Sequence, residues 1–258
     1  MSAPEPTQTY GLLAGRVVLV TAAAGTGIGF ATAQRCAQEG ATVAISDRHR
    51  DRLAHAAQRL AELTGDAVLA VECDVTVEEQ VRQMVDAVVH RYGRLDVLVN
   101  NAGLGGTATV LEMTDEQWSR VLDVTLTGTF RCTRAALRHM VARGSGVIVN
   151  NASVIGWRAQ EGQAHYAAAK AGVMALTRCS ALEAARHGIR INAVAPSIAM
   201  HENLARVTTQ EMLAELSARE AFGRPAQPWE VANVIVFLAS DLSSYLVGEV
   251  VSVSSQHP

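Results

Sequence analysis

Paired cysteines are missing from this chain. Cys36, Cys73, Cys132 and Cys179 are widely scattered, and none forms a C-x-x-C pair or a Cys/His cluster of zinc spacing. A reduced, cytoplasmic protein without a metal centre is the expectation. Charge of one sign is also lacking. The 22 basic and 25 acidic residues leave a formal charge of -3, and no basic block is present to track a phosphate backbone. Nucleic acid is therefore not expected as a partner. No apolar run reaches the roughly 18 residues of a membrane span. The stretch MSAPEPTQTYG has no basic region followed by an apolar one, so no signal peptide is expected either. Internal repeats and low-complexity segments are absent.

What is present is core-forming material, with 49% hydrophobic and 18% charged residues. Short aliphatic runs at 16–21, 42–46, 67–72, 95–100, 146–151, 189–195 and 250–253 show little polar alternation, which suits strands buried on both faces of a parallel sheet. Stretches of helical periodicity lie between them, at 28–40, 49–64, 77–92, 115–142, 163–187, 202–219 and 228–240. Gly40, Gly65, Gly93 and Gly188 close four of these where a left-handed cap favours glycine. The pattern predicts an α/β fold: one doubly wound parallel sheet of about seven strands with helices on both faces. Residues 1–12 are expected to be a flexible tail and 13–258 a single domain.

The segment TAAAGTGIGF, residues 21–30, joins the first strand to the first helix. Backbone N–H groups at a helix start bind a pyrophosphate where glycine permits close approach, and Gly25, Gly27 and Gly29 supply that permissive backbone. The pattern G-x-G-x-x-G fails because Phe30 takes its last place, and the Walker pattern fails as well. Asp47 ends the second strand. A carboxylate there can accept from both adenosine ribose hydroxyls and repels a 2′-phosphate, which favours NAD(H). Arg48, Arg50 and Arg52 follow it, and an arginine beside the ribose keeps NADP(H) open.

Tyr166 and Lys170 stand four apart at the start of a helical run and so share a face. An ammonium beside a tyrosine favours the phenolate, and such a pair can exchange the proton of an alcohol. Ser153, after a buried strand, can donate to the same oxygen.

Taken in order, the glycine turn, Asp47, CDVT (73–76), NNAG (100–103), Ser153, Tyr166, Lys170 and INAVAP (191–196) resemble the short-chain dehydrogenase/reductase family over nearly all of Gly15 to Val253. The resemblance implies a Rossmann-like oxidoreductase. In it Tyr166 is the general acid/base, Ser153 positions the reacting oxygen, and Lys170 binds the nicotinamide ribose and lowers the tyrosine pKa. The cofactor would lie along Thr21, Gly25, Thr26, Gly27, Ile28, Gly29, Asp47, Arg48, Asp74, Val75, Asn101, Ala102, Gly103, Pro196 and Ile198, with Asp74 and Val75 at the adenine.

Several positions depart from the family. Ala22 stands for the first glycine of a turn lengthened by one residue, and Gly25 is expected to take over the left-handed conformation. Thr125 replaces the asparagine that holds a water in the family's proton relay; the expectation is that Thr125 or a nearby carbonyl still holds it. Ser197 and His201 replace a glycine and a threonine, and Val247 with Ser254-Ser255-Gln256 replace residues near subunit contacts.

The substrate side is expected from Leu104–Thr109, Val154–Gly162 and a lid near 197–223. The segment ASVIGWRAQEGQAHYAAAKAGV looks like the 3-oxoacyl-carrier-protein reductase branch, so a 3-oxoacyl thioester of carrier protein or CoA is the leading substrate. A steroid-derived cyclic ketone or its CoA thioester is the alternative. A catalytically silent dinucleotide sensor or structural subunit is the reading from a different class. The helical runs at 115–142 and 163–187 resemble the family's tetramer-forming helices, so a homo-oligomer, tetramer or dimer, is expected.

Overall fold

The computed structural model describes residues 8–200 and 210–255. Seven strands lie in one parallel sheet: β1 (Val17–Thr21), β2 (Thr42–Asp47), β3 (Leu69–Glu72), β4 (Val97–Asn100), β5 (Gly146–Asn151), β6 (Ile189–Pro196) and β7 (Val250–Val253). Their order is β3-β2-β1-β4-β5-β6-β7. The order reverses between β1 and β4, which pair Val18 with Val97 and Val20 with Val99. A crevice opens at such a switch point, beyond the carboxyl ends of the strands.

Successive strand residues point to opposite faces, and here both faces are apolar. Val18, Val20, Val43, Ile45, Val97 and Val99 pack on one side with α1 (Ile28–Gln38), α2 (Arg50–Thr64) and α8 (Pro228–Ala239). Val17, Leu19, Leu98, Ile148 and Ile191 pack on the other with α3 (Glu78–Tyr92), α5 (Gly128–Arg143) and α6 (Ala164–Ala185). This two-sided burial is why the strands read as unbroken aliphatic runs. The sheet is the expected doubly wound, Rossmann-like one.

The expected helix over 115–142 is divided. Thr114 caps α4 (Asp115–Leu122) through a capping box with Gln117, then Asp123–Thr127 forms a π-helical turn before α5. Helical periodicity cannot reveal one extra residue in a turn, and such turns gather at functional sites. Of the expected lid, α7 (Gln210–Ala218) is seen; His201 lies outside the described residues. Gln8 to Leu12, assigned to a tail from the sequence, is held in place. The amides of Tyr10 and Leu12 donate to Glu39 and the Gln8 carbonyl accepts from Arg35. Among the described residues no helix is long and apolar enough to cross a membrane.

Candidate active site

The left-handed residue of the turn after β1 is Ala22, which stands for the first glycine of the family pattern. Ala22 has φ 52° and is the one non-glycine with positive φ among the described residues, whereas Gly25, Gly27 and Gly29 do not adopt it. The expected transfer to Gly25 is therefore corrected. An L-residue in this conformation costs about 1–2 kcal/mol, and the surroundings supply the compensation. Asn101 Nδ2 donates to the carbonyls of Thr21 and Ala22 at 3.2 and 3.0 Å. Gly29 makes the room, since a Cβ there would come within 2.4 Å of both the Ala22 oxygen and Asn101 Nδ2.

Helix α1 starts immediately beyond, with Gly27 as its N-cap. It has no side-chain cap bond and no acidic residue in its first turn. Its first N–H groups are thus left for an anion. A side chain at Gly25 would meet no atom closer than the Gly27 nitrogen at 3.9 Å, so the turn is open on that side. These features fit the pyrophosphate of a dinucleotide. Ile28 packs partly against the core. Thr21 is turned inward, its hydroxyl donating to Val99 O and accepting from the amides of Asn101 and Ala102. It braces β1 against the NNAG loop.

Asp47 ends β2 with a buried side chain. Oδ2 accepts from Ala24 N at 3.4 Å and Oδ1 from His49 N at 3.0 Å. Burial raises its pKa, opposed by the Ala24 amide and the fields of Arg52 and Arg48. Arg48 Nε donates to His49 Nε2. Asp74 uses Oδ1 on the amide and hydroxyl of Thr76. Burial pushes its carboxyl upward, but those bonds and the charges of Arg48 and Arg120 outweigh it, leaving the pKa below the ordinary range. The Val75 side chain is buried in the core, so what Val75 can offer a ligand is its backbone.

The predicted catalytic residues meet where β4, β5 and β6 end. Ser153 follows β5, with its hydroxyl 3.4 Å from Pro196 O at the end of β6, and is hydrogen-bonded to Tyr166. Lys170 lies one turn along α6, its Nζ 5.6 Å from the Tyr166 ring centre and bonded to the carbonyl of Asn151 at 2.5 Å. Burial lowers the Lys170 pKa from 10.5 to about 8. Tyr166 is pushed upward by its own burial, with the Ser153 bond acting the other way. The depression expected from Lys170 is thus absent from the chain alone, because loss of water dominates the phenol. A Cβ on Gly103 would sit 3.5 Å from Lys170 Nζ. That glycine leaves space beside the ammonium, as the ribose role requires.

Thr125 sits in the π turn, fully buried. Its hydroxyl donates to Leu104 O at 3.1 Å and accepts from Leu104 N at 3.0 Å. The single proton it owns is therefore given to the loop after β4. That loop is also fastened at its far end, where Gln163 Nε2 donates to Gly106 O and Ala108 N to Gly162 O. Gly105 lies against the Tyr166 ring, where a Cβ would come 3.8 Å from the ring Cδ2. An open cleft of about 410 Å³ adjoins the loop, lined by residues including Ala108, Val110, Ala159 and Ala167. Trp157 is half-exposed. The carbonyl of Ile198 is occupied by the amide of Ala226. Two features carry no sequence signal: the Leu104 clamp, made through backbone atoms, and the role of Asn151, whose side chain reaches Asn101.

Comparison with known proteins gives the same picture. A family model described as enoyl-(acyl carrier protein) reductase matches residues 22–255. The (5R,7aS)-5-hydroxy-7a-methyl-1-oxo-2,3,5,6,7,7a-hexahydro-1H-indene-carboxyl-CoA reductase of Mycobacterium tuberculosis is 63% identical, over 99% of this chain and 98% of that protein. A 3-oxoacyl-[acyl-carrier-protein] reductase of Thermotoga maritima is 42% identical over 93% of this chain and 97% of its own length. Among solved structures, a short chain dehydrogenase from Mycobacterium smegmatis superposes with a TM-score of 0.89 at 58% identity, covering 100% of this chain and 99% of the other. With the glycine turn, Ser153, Tyr166 and Lys170 assembled on this sheet, the chain belongs to the short-chain dehydrogenase/reductase family, NAD(P)(H)-binding oxidoreductases that act on CH–OH groups.

Proposed function

We propose that this enzyme interconverts a ketone and a secondary alcohol on a fused-ring carboxyl-CoA thioester, using NAD(H). The observation that carries the substrate class is the 63% identity, across almost the whole of both chains, to a reductase of a hexahydroindene-carboxyl-CoA. The linear 3-oxoacyl thioester, favoured by the sequence motif, is the second reading; its support is the 42% identity to a 3-oxoacyl-carrier-protein reductase.

The cofactor supplies the hydride acceptor or donor, and this chain supplies orientation and proton handling. The pyrophosphate would be held at the α1 start by Gly25 to Gly29, the adenosine ribose by Asp47 and the second ribose by Lys170. The buried carboxyl of Asp47 ends β2 with its oxygens on the Ala24 and His49 amides, and a carboxylate at this place repels a 2′-phosphate, which supports NAD(H) over NADP(H). Because burial keeps Tyr166 protonated at neutral pH, the phenol is set to give its proton to an oxygen that gains charge during reduction. Ser153 donates to that same oxygen. In the oxidative direction the phenolate receives the alcohol proton, and the nearby ammonium of Lys170 stabilises it. A homo-oligomer is part of the proposal, supported by exposed apolar residues on α4, α5 and α6, namely Trp118, Phe130 and Leu182.

The test is a steady-state assay with NADH and NADPH against a keto hexahydroindene-carboxyl-CoA and a linear 3-oxoacyl-CoA. The expected result is a higher kcat/KM for the bicyclic thioester with NADH, lost by about 10²-fold or more in Tyr166→Phe. Preference for the linear thioester overturns the substrate class. Cofactor binding without turnover on either overturns the enzyme reading in favour of a sensor.

A further inference from the structure

We propose that Asn151 is a positioning residue that acts through Asn101 to hold the cofactor turn at Ala22 and to tie that turn to Lys170. The inference rests on the same cofactor reading and assigns a role to a side chain that touches neither reacting group.

Four bonds form the connection. Asn101 Nδ2 donates to the carbonyls of Thr21 and Ala22 at 3.2 and 3.0 Å. Asn151 Nδ2 donates to Asn101 Oδ1 at 3.0 Å. The Asn151 carbonyl accepts from Lys170. The direction of the amides follows from chemistry. Two carbonyl oxygens face one end of the Asn101 amide, so that end must be the NH₂. Its oxygen then faces Asn151, which must answer with its own NH₂.

Packing alone does not account for an amide at position 151. Asn151 Oδ1 is buried without a partner, an unfavourable state that an apolar side chain of similar size avoids. The amide is explained by its donor, which fixes the orientation of Asn101. Asn101 in turn fixes the one left-handed non-glycine described in the chain, Ala22. A glycine at position 22 adopts that conformation unaided, which makes the dependence measurable.

The experiment is a fluorescence titration of NADH into the substrate-free protein, comparing Asn151→Leu in the natural background and in Ala22→Gly. The expected result is an approximately tenfold weaker Kd for Asn151→Leu, shrinking to less than twofold when Ala22→Gly is also present. A merely structural role predicts equal losses in both backgrounds, and that result overturns the proposal, as does an unchanged Kd in the folded single variant. If the leucine variant does not fold, Asn151→Ala withdraws the donor with a smaller side chain, and the same pattern is required of it. Failure of the parent protein to bind NADH or NADPH overturns the cofactor reading and this inference together; a failed rescue overturns the inference alone.

Discussion

At the amino ends of the strands, both oxygens of Asp96 are bonded, to the amide of Val17 and to the guanidinium groups of Arg94 and Arg143. Nearby, Arg190 donates to the carbonyls of Leu238, Ser240 and Ser243. At the carboxyl ends, Asn100 Oδ1, Asn151 Oδ1, His165 Nδ1 and Ser197 Oγ are buried with no partner, and Lys170 is an ammonium with almost no access to water. One sheet thus carries an end whose buried carboxylate is satisfied, though Arg94 Nε beside it has no partner, and an end with four unsatisfied groups. Unpaired buried groups cost stability, and the four at the carboxyl ends lie at the candidate active site. Removing a polar group should weaken the protein at one end and strengthen it at the other.

The largest effect is expected from Asp96→Asn. It keeps the shape but removes the charge that two arginines and one amide surround, and should cost about 2–3 kcal/mol in urea unfolding at pH 7. Burial raises the Asp96 pKa, but Arg94, the Val17 amide and Arg143 together bring it below 3.8. Its contribution is therefore complete above pH 3.8 and is lost as pH falls through the lower folded value. Variant and parent should converge in strong acid. Equal stability of the two at pH 7 breaks the comparison at its satisfied end.

Lys170→Met should do the reverse, raising stability by about 1–2 kcal/mol at pH 7 while abolishing turnover. The folded pKa of about 8 lies below the unfolded 10.5, so the penalty of the buried charge is full below pH 8. Parent stability recovers between pH 8 and 10.5, and the advantage of the variant should disappear there. A destabilised Lys170→Met at pH 7 shows that the bond to Asn151 outweighs the burial cost.

A smaller change separates two roles for Thr125. If its hydroxyl serves to clamp Leu104, Thr125→Val should raise substrate KM by about tenfold, or about 1.4 kcal/mol, with an unchanged pH profile of kcat. Thr125→Ser should restore it. A fall in kcat that depends on pH, at constant KM, assigns Thr125 to the proton relay.

The sheet was legible because both faces of each strand are covered, which forces Val18, Leu19 and Val20 alike to be apolar. Ser153, Tyr166 and Lys170 were legible as an ordered set, with two of them on one helical face. The rest depends on partners distant in sequence. Nothing near Ala22 shows that it keeps the left-handed conformation, because the amide that holds it comes from position 101. The break in the long helix at Asp123–Thr127 changes no hydrophobic period. Thr125 looked like a weakened asparagine because its two bonds end on backbone atoms of Leu104, which leave no mark in the sequence. The upward shift of Tyr166 follows from burial that residue spacing does not report.

One oxygen of Asp47 also couples coenzyme choice to the shape of the glycine turn. Oδ2 accepts from the Ala24 amide, so the carboxylate proposed for the ribose is also a strut of the loop proposed for the pyrophosphate. Replacing it by a neutral residue to admit a 2′-phosphate removes the strut with the charge. On the proposed cofactor reading, a switch toward NADP(H) accordingly calls for a paired change, one at position 47 and one that re-anchors residue 24, and a change at position 47 alone is expected to weaken the binding of both coenzymes.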